Sequence, residues 1–241
     1  MALAIYTKED PQKLKSQLLK RRRSEMIFFG FLATLGGFSI LMALTPFAIW
    51  QFKTLPYLSS PISKLPIPKS QVLSAQSSLA AQVQVVKDPD GFSYFTTSYK
   101  PDASRPKEFT VSIPKLKIEN AKAKVDSVIF DNNLALFPGS ALPGQVGNAF
   151  ITGHSVLPEF FDAKDYKTIF SKLPDLEIGD DIYVEIEGKK YQYVVQYKKI
   201  VDPTDTSVLA PISNFSRNLT LMTCVPPGSS IKRMVVVTSL I

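Results

Sequence analysis

The chain has 241 residues and a formal net charge of +7, from 28 Lys and Arg against 21 Asp and Glu, with one cysteine and one histidine. That length allows one domain of ordinary size plus appendages, and a single cysteine excludes any disulfide within the chain. The basic excess does not point to nucleic acid, because residues before Met26 carry +4 of the +7 and no basic patch interleaved with aromatics follows.

Taken in chain order, residues 1–25 read as a basic cytoplasmic N-terminus ending in Lys20-Arg21-Arg22-Arg23. Met26 to Phe52 then holds no charged residue over 27 positions. As a helix it would be about 40 Å long, more than the roughly 30 Å hydrocarbon core of a bilayer requires. The run is too long for the apolar core of a cleavable signal peptide, so residues 26–52 are expected to be a retained transmembrane anchor. The preceding Lys/Arg cluster keeps the N-terminus cytoplasmic, which makes the chain a single-pass cell-membrane protein with its remainder outside.

Residues 53–107 read as an extracytoplasmic linker rich in Pro, Ser and Gln, punctuated from Pro56 to Pro106. Within it, Ser70 to Val86 is expected to form a short amphipathic helix, with Val72, Leu79, Val83 and Val86 near one face. Asp88-Pro89-Asp90-Gly91-Phe92 reads as a Pro-Asp-Gly turn. The aromatics Phe92, Tyr94, Phe95 and Tyr99 are more than a solvated tether needs.

Residues 108–241 change to strands and turns and form the expected catalytic domain. Phe109 to Ile113 alternates as a strand that Pro114 ends, and Val125 to Phe130 is a second candidate. Leu136 to Asn148 is a loop, and Ala149 to Thr152 a short buried strand leading to Gly153-His154. Phe161 to Leu173 carries a helical stripe of Phe161, Tyr166, Ile169, Phe170 and Leu173, stopped by Pro174. Ile182, Val184 and Ile186, the Glu187-Gly188-Lys189 turn, and alternation from Tyr191 to Tyr197 predict a hairpin. Asp162, Asp165, Asp175, Glu177, Asp180 and Asp181 match no metal-binding spacing and read as a solvated face. About eight strands with one or two short helices predict a closed, mostly antiparallel β-barrel.

The final stretch carries the chemistry. In Asn218 to Val237 a strand puts Leu219, Leu221 and Thr223 on one face and Thr220, Met222 and Cys224 on the other. Val225-Pro226-Pro227-Gly228 breaks it, and Arg233 opens the next strand. The lone thiol, the lone imidazole of His154 and the Arg233 guanidinium therefore each stand at a strand terminus. Together they would supply a nucleophile, an acid/base and an anion stabiliser.

Thr220-Leu221-Met222-Thr223-Cys224 followed by Arg233 resembles the T-L-x-T-C signature and arginine of sortases. Gly147 to His154, the preceding Pro138 to Gly144, and Pro203-Thr204-Asp205 with Val208-Leu209 resemble further sortase segments, the last closest to the class A branch. The resemblance spans about Phe109 to Ile241 and implies an eight-stranded antiparallel sortase barrel. It implies a cysteine transpeptidase in which His154, Cys224 and Arg233 are catalytic. It also implies that Thr206, Val208, Leu209 and Thr223 bind substrate, although Thr206 departs from the aliphatic residue often found there. The substrate class would be an L-P-x-T-G-like sorting signal at the C-terminus of exported proteins, cut between Thr and Gly. The acyl group would pass to an amine of the cell wall or surface.

No cofactor and no metal are expected: the loop before the histidine strand, Leu134 to Asn148, lacks the acids through which some class A sortases hold calcium, and Pro211 stands where a further acid would be. Some pilus-building sortases carry an Asp-Pro-aromatic lid between anchor and barrel; Asp90-Gly91 interrupts that pattern here. The competing functions are another thiol acyl-transferase or hydrolase tethered to the membrane, and a non-catalytic binding module with an incidental buried cysteine. A wall L,D-transpeptidase would carry His and Gly immediately before the cysteine, where Met222-Thr223 stands.

Overall fold

The structure is a computed structural model that describes residues 11–49, 82–87 and 93–241. The chain divides into two units, residues 1–55 and 56–241. In the first, helix α1 spans Pro11–Ile49. It starts earlier than the charge-free run because Leu, Lys, Gln and Arg before Met26 are themselves good helix formers. Its stretch Glu25–Thr45 is 21 residues long and apolar enough to cross a bilayer, about 30 Å at 1.5 Å per residue. Phe28, Phe31 and Leu41 there are more than half exposed.

The second unit is built on a closed barrel of eight strands: β3 (Glu108–Ile113), β4 (Ile118–Lys124), β5 (Leu134–Leu136), β6 (Gly147–Thr152), β7 (Asp181–Ile186), β8 (Lys189–Val201), β9 (Arg217–Val225) and β10 (Lys232–Leu240). Around the barrel the order is β10-β8-β7-β3-β4-β5-β6-β9. Strand β3 shows how alternation directs the chain inward: Phe109, Val111 and Ile113 are buried while Glu108 and the residues between are less so. The predicted hairpin forms as β7–β8, with Glu187 at φ 49° and Gly188 at φ 74° in its two-residue turn.

The barrel is mostly antiparallel, as expected, with two parallel seams. Strands β4 and β5 pair in parallel, as do β6 and β9. Each pair is joined by a connection too indirect for a hairpin. The β6–β9 seam matters most, because it lays the strand that leads to His154 beside the strand that carries Cys224, with Thr152 opposite Met222.

Four segments differ from the sequence reading. Residues 161–173 form successive turns instead of a helix, with 3-10 turns at Pro158–Phe160 and Leu173–Asp175. Asp162 and Asp165 accept from the backbone N–H groups of Lys164 and Lys167, and Thr168 exchanges bonds with the backbone of Asp162. Such side-chain bonds offer the backbone an alternative to the helical ladder. The apolar stripe is still used, since Ile169, Phe170 and Leu173 are buried.

Residues 125–130 are likewise no strand. Strand β4 ends at Lys124, and Asp126 turns the chain at φ 52°. Its nearly buried carboxylate meets Arg105 Nε at 2.9 Å and accepts from Gly139 N at 3.1 Å. The solvated-face reading of the acids also gives way in part, because Glu177 and Asp180 pair with Lys115 at 2.7 and 2.9 Å.

The expected linker is folded near its end. Residues 70–81 of the expected amphipathic helix lie outside the described residues, and its last part is strand β1 (Val83–Lys87), paired antiparallel with β2 (Ser93–Thr97). The Asp88–Phe92 turn also lies outside the described residues. What converts this stretch is Phe95, which is buried with Phe137, Phe150, Val208, Leu209, Val235 and Val237, while Val83 and Val85 pack against the same cluster. A side chain of that size contributes on the order of 2–3 kcal/mol when fully buried, enough to hold a short hairpin against the barrel.

Candidate active site

Strands β9 and β10 fix two of the three candidate residues by main-chain register alone. Cys224 lies directly opposite Arg233 in the antiparallel ladder, one residue before β9 ends at Val225. The third is brought in from β6. Gly153 N donates to Met222 O at 3.2 Å, continuing the parallel seam one step beyond the strand. Thr223 Oγ1 returns a bond to Gly153 O at 2.9 Å, and Ser155 Oγ donates to Cys224 O at 2.7 Å. The residues on either side of His154 are thus stitched to the backbone around the thiol.

Gly153 has to be glycine for want of room. A Cβ there would stand 2.7 Å from Phe170 and 2.8 Å from Leu134, both fully buried.

Cys224, His154, Arg233 and Thr223 line one cavity of about 380 Å³, together with Phe130, Met222 and residues 93–95 of strand β2. Thr223 is buried and its hydroxyl is committed to Gly153, so it holds the cavity wall together. Thr206, Val208 and Leu209 are not part of that lining. They form a 3-10 turn, Thr206–Leu209, capped by Asp205, whose Oδ1 accepts from Ser207 N at 3.0 Å. Val208 and Leu209 belong to the buried cluster that receives Phe95. The buried Asn148 side chain donates to both of their carbonyls and accepts from Thr220 Oγ1.

Arg233 is 6% exposed. Its Nη1 donates to Ser230 O at 2.9 Å and Lys232 O at 3.2 Å, and its Nη2 to Ser93 O at 2.8 Å. A main-chain carbonyl of strand β2 therefore occupies a guanidinium donor beside the thiol. Burial pushes the Cys224 thiol above its ordinary value, and the nearby Arg233 charge pulls it only part of the way back.

His154 lines the same cavity and is partly exposed, its side chain at 38%. Nε2 lies 3.1 Å from Asp131 Oδ1, and the ring packs on Phe130 with centroids 4.2 Å apart. Sequence reasoning missed Phe130, Asp131 and Ser155. Only Ser155 carried a signal, its position next to the histidine; nothing in the chain ties residue 131 to residue 154 before the fold does.

Comparison with known proteins bears on the family and the fold. The family model described as Sortase domain matches residues 111–241, more than half of the chain. Sortase D of Bacillus subtilis (strain 168) is 24% identical over 143 residues, covering 58% of this chain and 66% of the relative. The chain thus spans just under two thirds of that relative's length. Two solved structures share the fold. Sortase A from Corynebacterium diphtheriae has a TM-score of 0.51 at 22% identity, covering 84% of this chain and 95% of that one. Sortase C-3 from Streptococcus pneumoniae has a TM-score of 0.52 at 24% identity, covering 72% and 81%. The relatives bear class letters A, C and D at nearly equal identity, so identity does not assign a class.

Proposed function

The chain belongs to the sortase family, whose members are cysteine transpeptidases, and from that premise we propose a membrane-anchored transpeptidase that attaches exported proteins to the cell surface. The observation that carries the reading is the meeting of Cys224 and Arg233 across β9–β10 with His154 on the same cavity. A thiolate needs a cationic neighbour, a leaving amine needs a proton donor, and a developing oxyanion needs a fixed donor.

In the reaction the Cys224 sulfur attacks the backbone carbonyl of an L-P-x-T-G-like signal. Collapse of the tetrahedral intermediate breaks the C–N bond and leaves a thioester, with the imidazolium of His154 protonating the departing amine. An incoming amine then attacks the thioester and gives its proton to the imidazole. The C–S bond breaks, a new amide forms and the thiolate is regenerated. Arg233 donates to the oxyanion or to the substrate backbone once Ser93 O has left it. Thr206, Val208 and Leu209 serve as the substrate-gripping turn, with the Val208–Leu209 pair exposed to the signal when Phe95 withdraws.

Residues 26–52 act as the anchor, with 1–25 cytoplasmic and 108–241 the extracytoplasmic catalytic domain. The test incubates the full chain with an L-P-x-T-G-like peptide library and a small amine, read by mass spectrometry. Amide products cut between Thr and Gly support the reading, and an untouched library contradicts it. Protease shaving of intact cells checks orientation: the domain after Lys53 should be lost and the basic N-terminus spared.

A further inference from the structure

One polar contact at the cavity lies outside the cysteine, histidine and arginine roles. His154 is the chain's only histidine, and its Nε2 lies 3.1 Å from Asp131 Oδ1. A carboxylate only accepts, so the ring nitrogen facing it must carry the hydrogen. The loop that presents Asp131 is built rather than loose. Asp126 at its base is clamped to Arg105 and to Gly139 N. Ser127 Oγ accepts from Ile129 N at 3.1 Å and donates to Ile129 O at 3.0 Å. Asn133 Nδ2 closes the far side on Ile129 O at 3.1 Å and Leu134 O at 2.7 Å. Between these ties the loop offers the imidazole the tilted Phe130 ring, with centroids 4.2 Å apart, and the Asp131 carboxylate.

From this geometry we infer that Asp131 is a positioning residue for His154: it accepts the Nε2–H and leaves Nδ1 as the nitrogen that exchanges protons in the cavity. Phe130 fixes the plane of the ring, and Asp131 fixes its rotation within that plane. Two constraints are needed because the imidazole is attached to a strand end and is partly exposed. The two side chains are 38% and 64% exposed, so the hydrogen bond between them holds the ring less firmly than in a buried triad.

The inference rests on the Cys224–His154 reading above, and the test separates the two. The full chain in detergent reacts with iodoacetamide, and intact mass follows alkylation of its single thiol. Four proteins are compared: wild type, Asp131→Asn, His154→Ala and the double variant. Asp131→Asn should slow alkylation about two- to fivefold, the scale of one exposed charge pair. His154→Ala should slow it more, and adding Asp131→Asn to it should change nothing further, since the carboxylate acts through the ring. Thermal midpoints of wild type and Asp131→Asn should coincide. If Asp131→Asn slows the reaction equally in both backgrounds, or leaves wild type unchanged while His154→Ala is slow, the inference is overturned and the Cys–His reading stands. If His154→Ala matches wild type, the Cys–His reading fails and the inference falls with it.

Discussion

The two side chains proposed to work beside Cys224 are held in opposite ways. Arg233 lies inside a β-ladder, nearly buried, with its guanidinium shared among three main-chain carbonyls. His154 stands one residue past Gly153 at the end of β6, partly exposed, and leans on one carboxylate and one phenyl ring from a loop. A group that stabilises developing negative charge works best when fixed beforehand, because reorienting it during the reaction would cost part of what it supplies. A group that hands a proton to one amine and takes one from another has to stay accessible. The rigid arm is built into the sheet, and the adjustable arm is hung from its edge.

The largest effect should come from breaking the rigid arm. Arg233→Lys keeps the charge but replaces a planar fork by a single mobile ammonium, which cannot serve the same carbonyls and an oxyanion. Losing one well-placed donor costs about 100- to 1000-fold in rate. Single-turnover acylation should fall by that much, and near-normal turnover would reduce Arg233 to a local cation. Gly153→Ala attacks the hanging arm through its base. The added methyl meets Phe170 and Leu134, neither of which has free space, and overpacking of this kind costs about 1–3 kcal/mol. Urea unfolding should report that loss, together with weaker coupling of His154 to the thiol.

The smallest effect sharpens the comparison from outside the barrel. Phe95→Ala removes the side chain that seats β2 against Phe137 and Phe150, whose centroids lie 6.3 and 6.4 Å away. Ser93 O should leave Arg233 more often and water should reach the thiol. Because burial is the main cause of the raised Cys224 value, removing it shifts the alkylation profile toward lower pH and speeds reaction at neutral pH several-fold. An unchanged profile would mean that the hairpin does not govern access.

What could be read from the chain follows the same division. The β9–β10 pair was legible because alternation, the two prolines after Cys224 and the apolar run from Arg233 are local signals. The β7–β8 hairpin announced itself through Gly188. The segment from Phe161 to Leu173 misled because its helical stripe is real as a burial pattern, while Asp162, Asp165 and Thr168 bind the backbone more effectively as turns. Residues 93–97 read as linker because proline and serine dominate around them; the fate of Phe95 depends on Phe137, Phe150, Val208 and Leu209, which are distant in sequence. The contact of Asp131 with His154 is likewise tertiary, spanning 23 positions.

The most direct test of the central claim is to trap the covalent intermediate. The full chain is mixed with an L-P-x-T-G-like peptide without amine, quenched in acid and weighed intact. The account predicts an adduct of the peptide's N-terminal fragment on Cys224, absent from Cys224→Ala and discharged as a new amide when an amine is added. Peptide cleavage that persists in Cys224→Ala, or a Cys224 that stays unmodified across a library of such peptides, would contradict it.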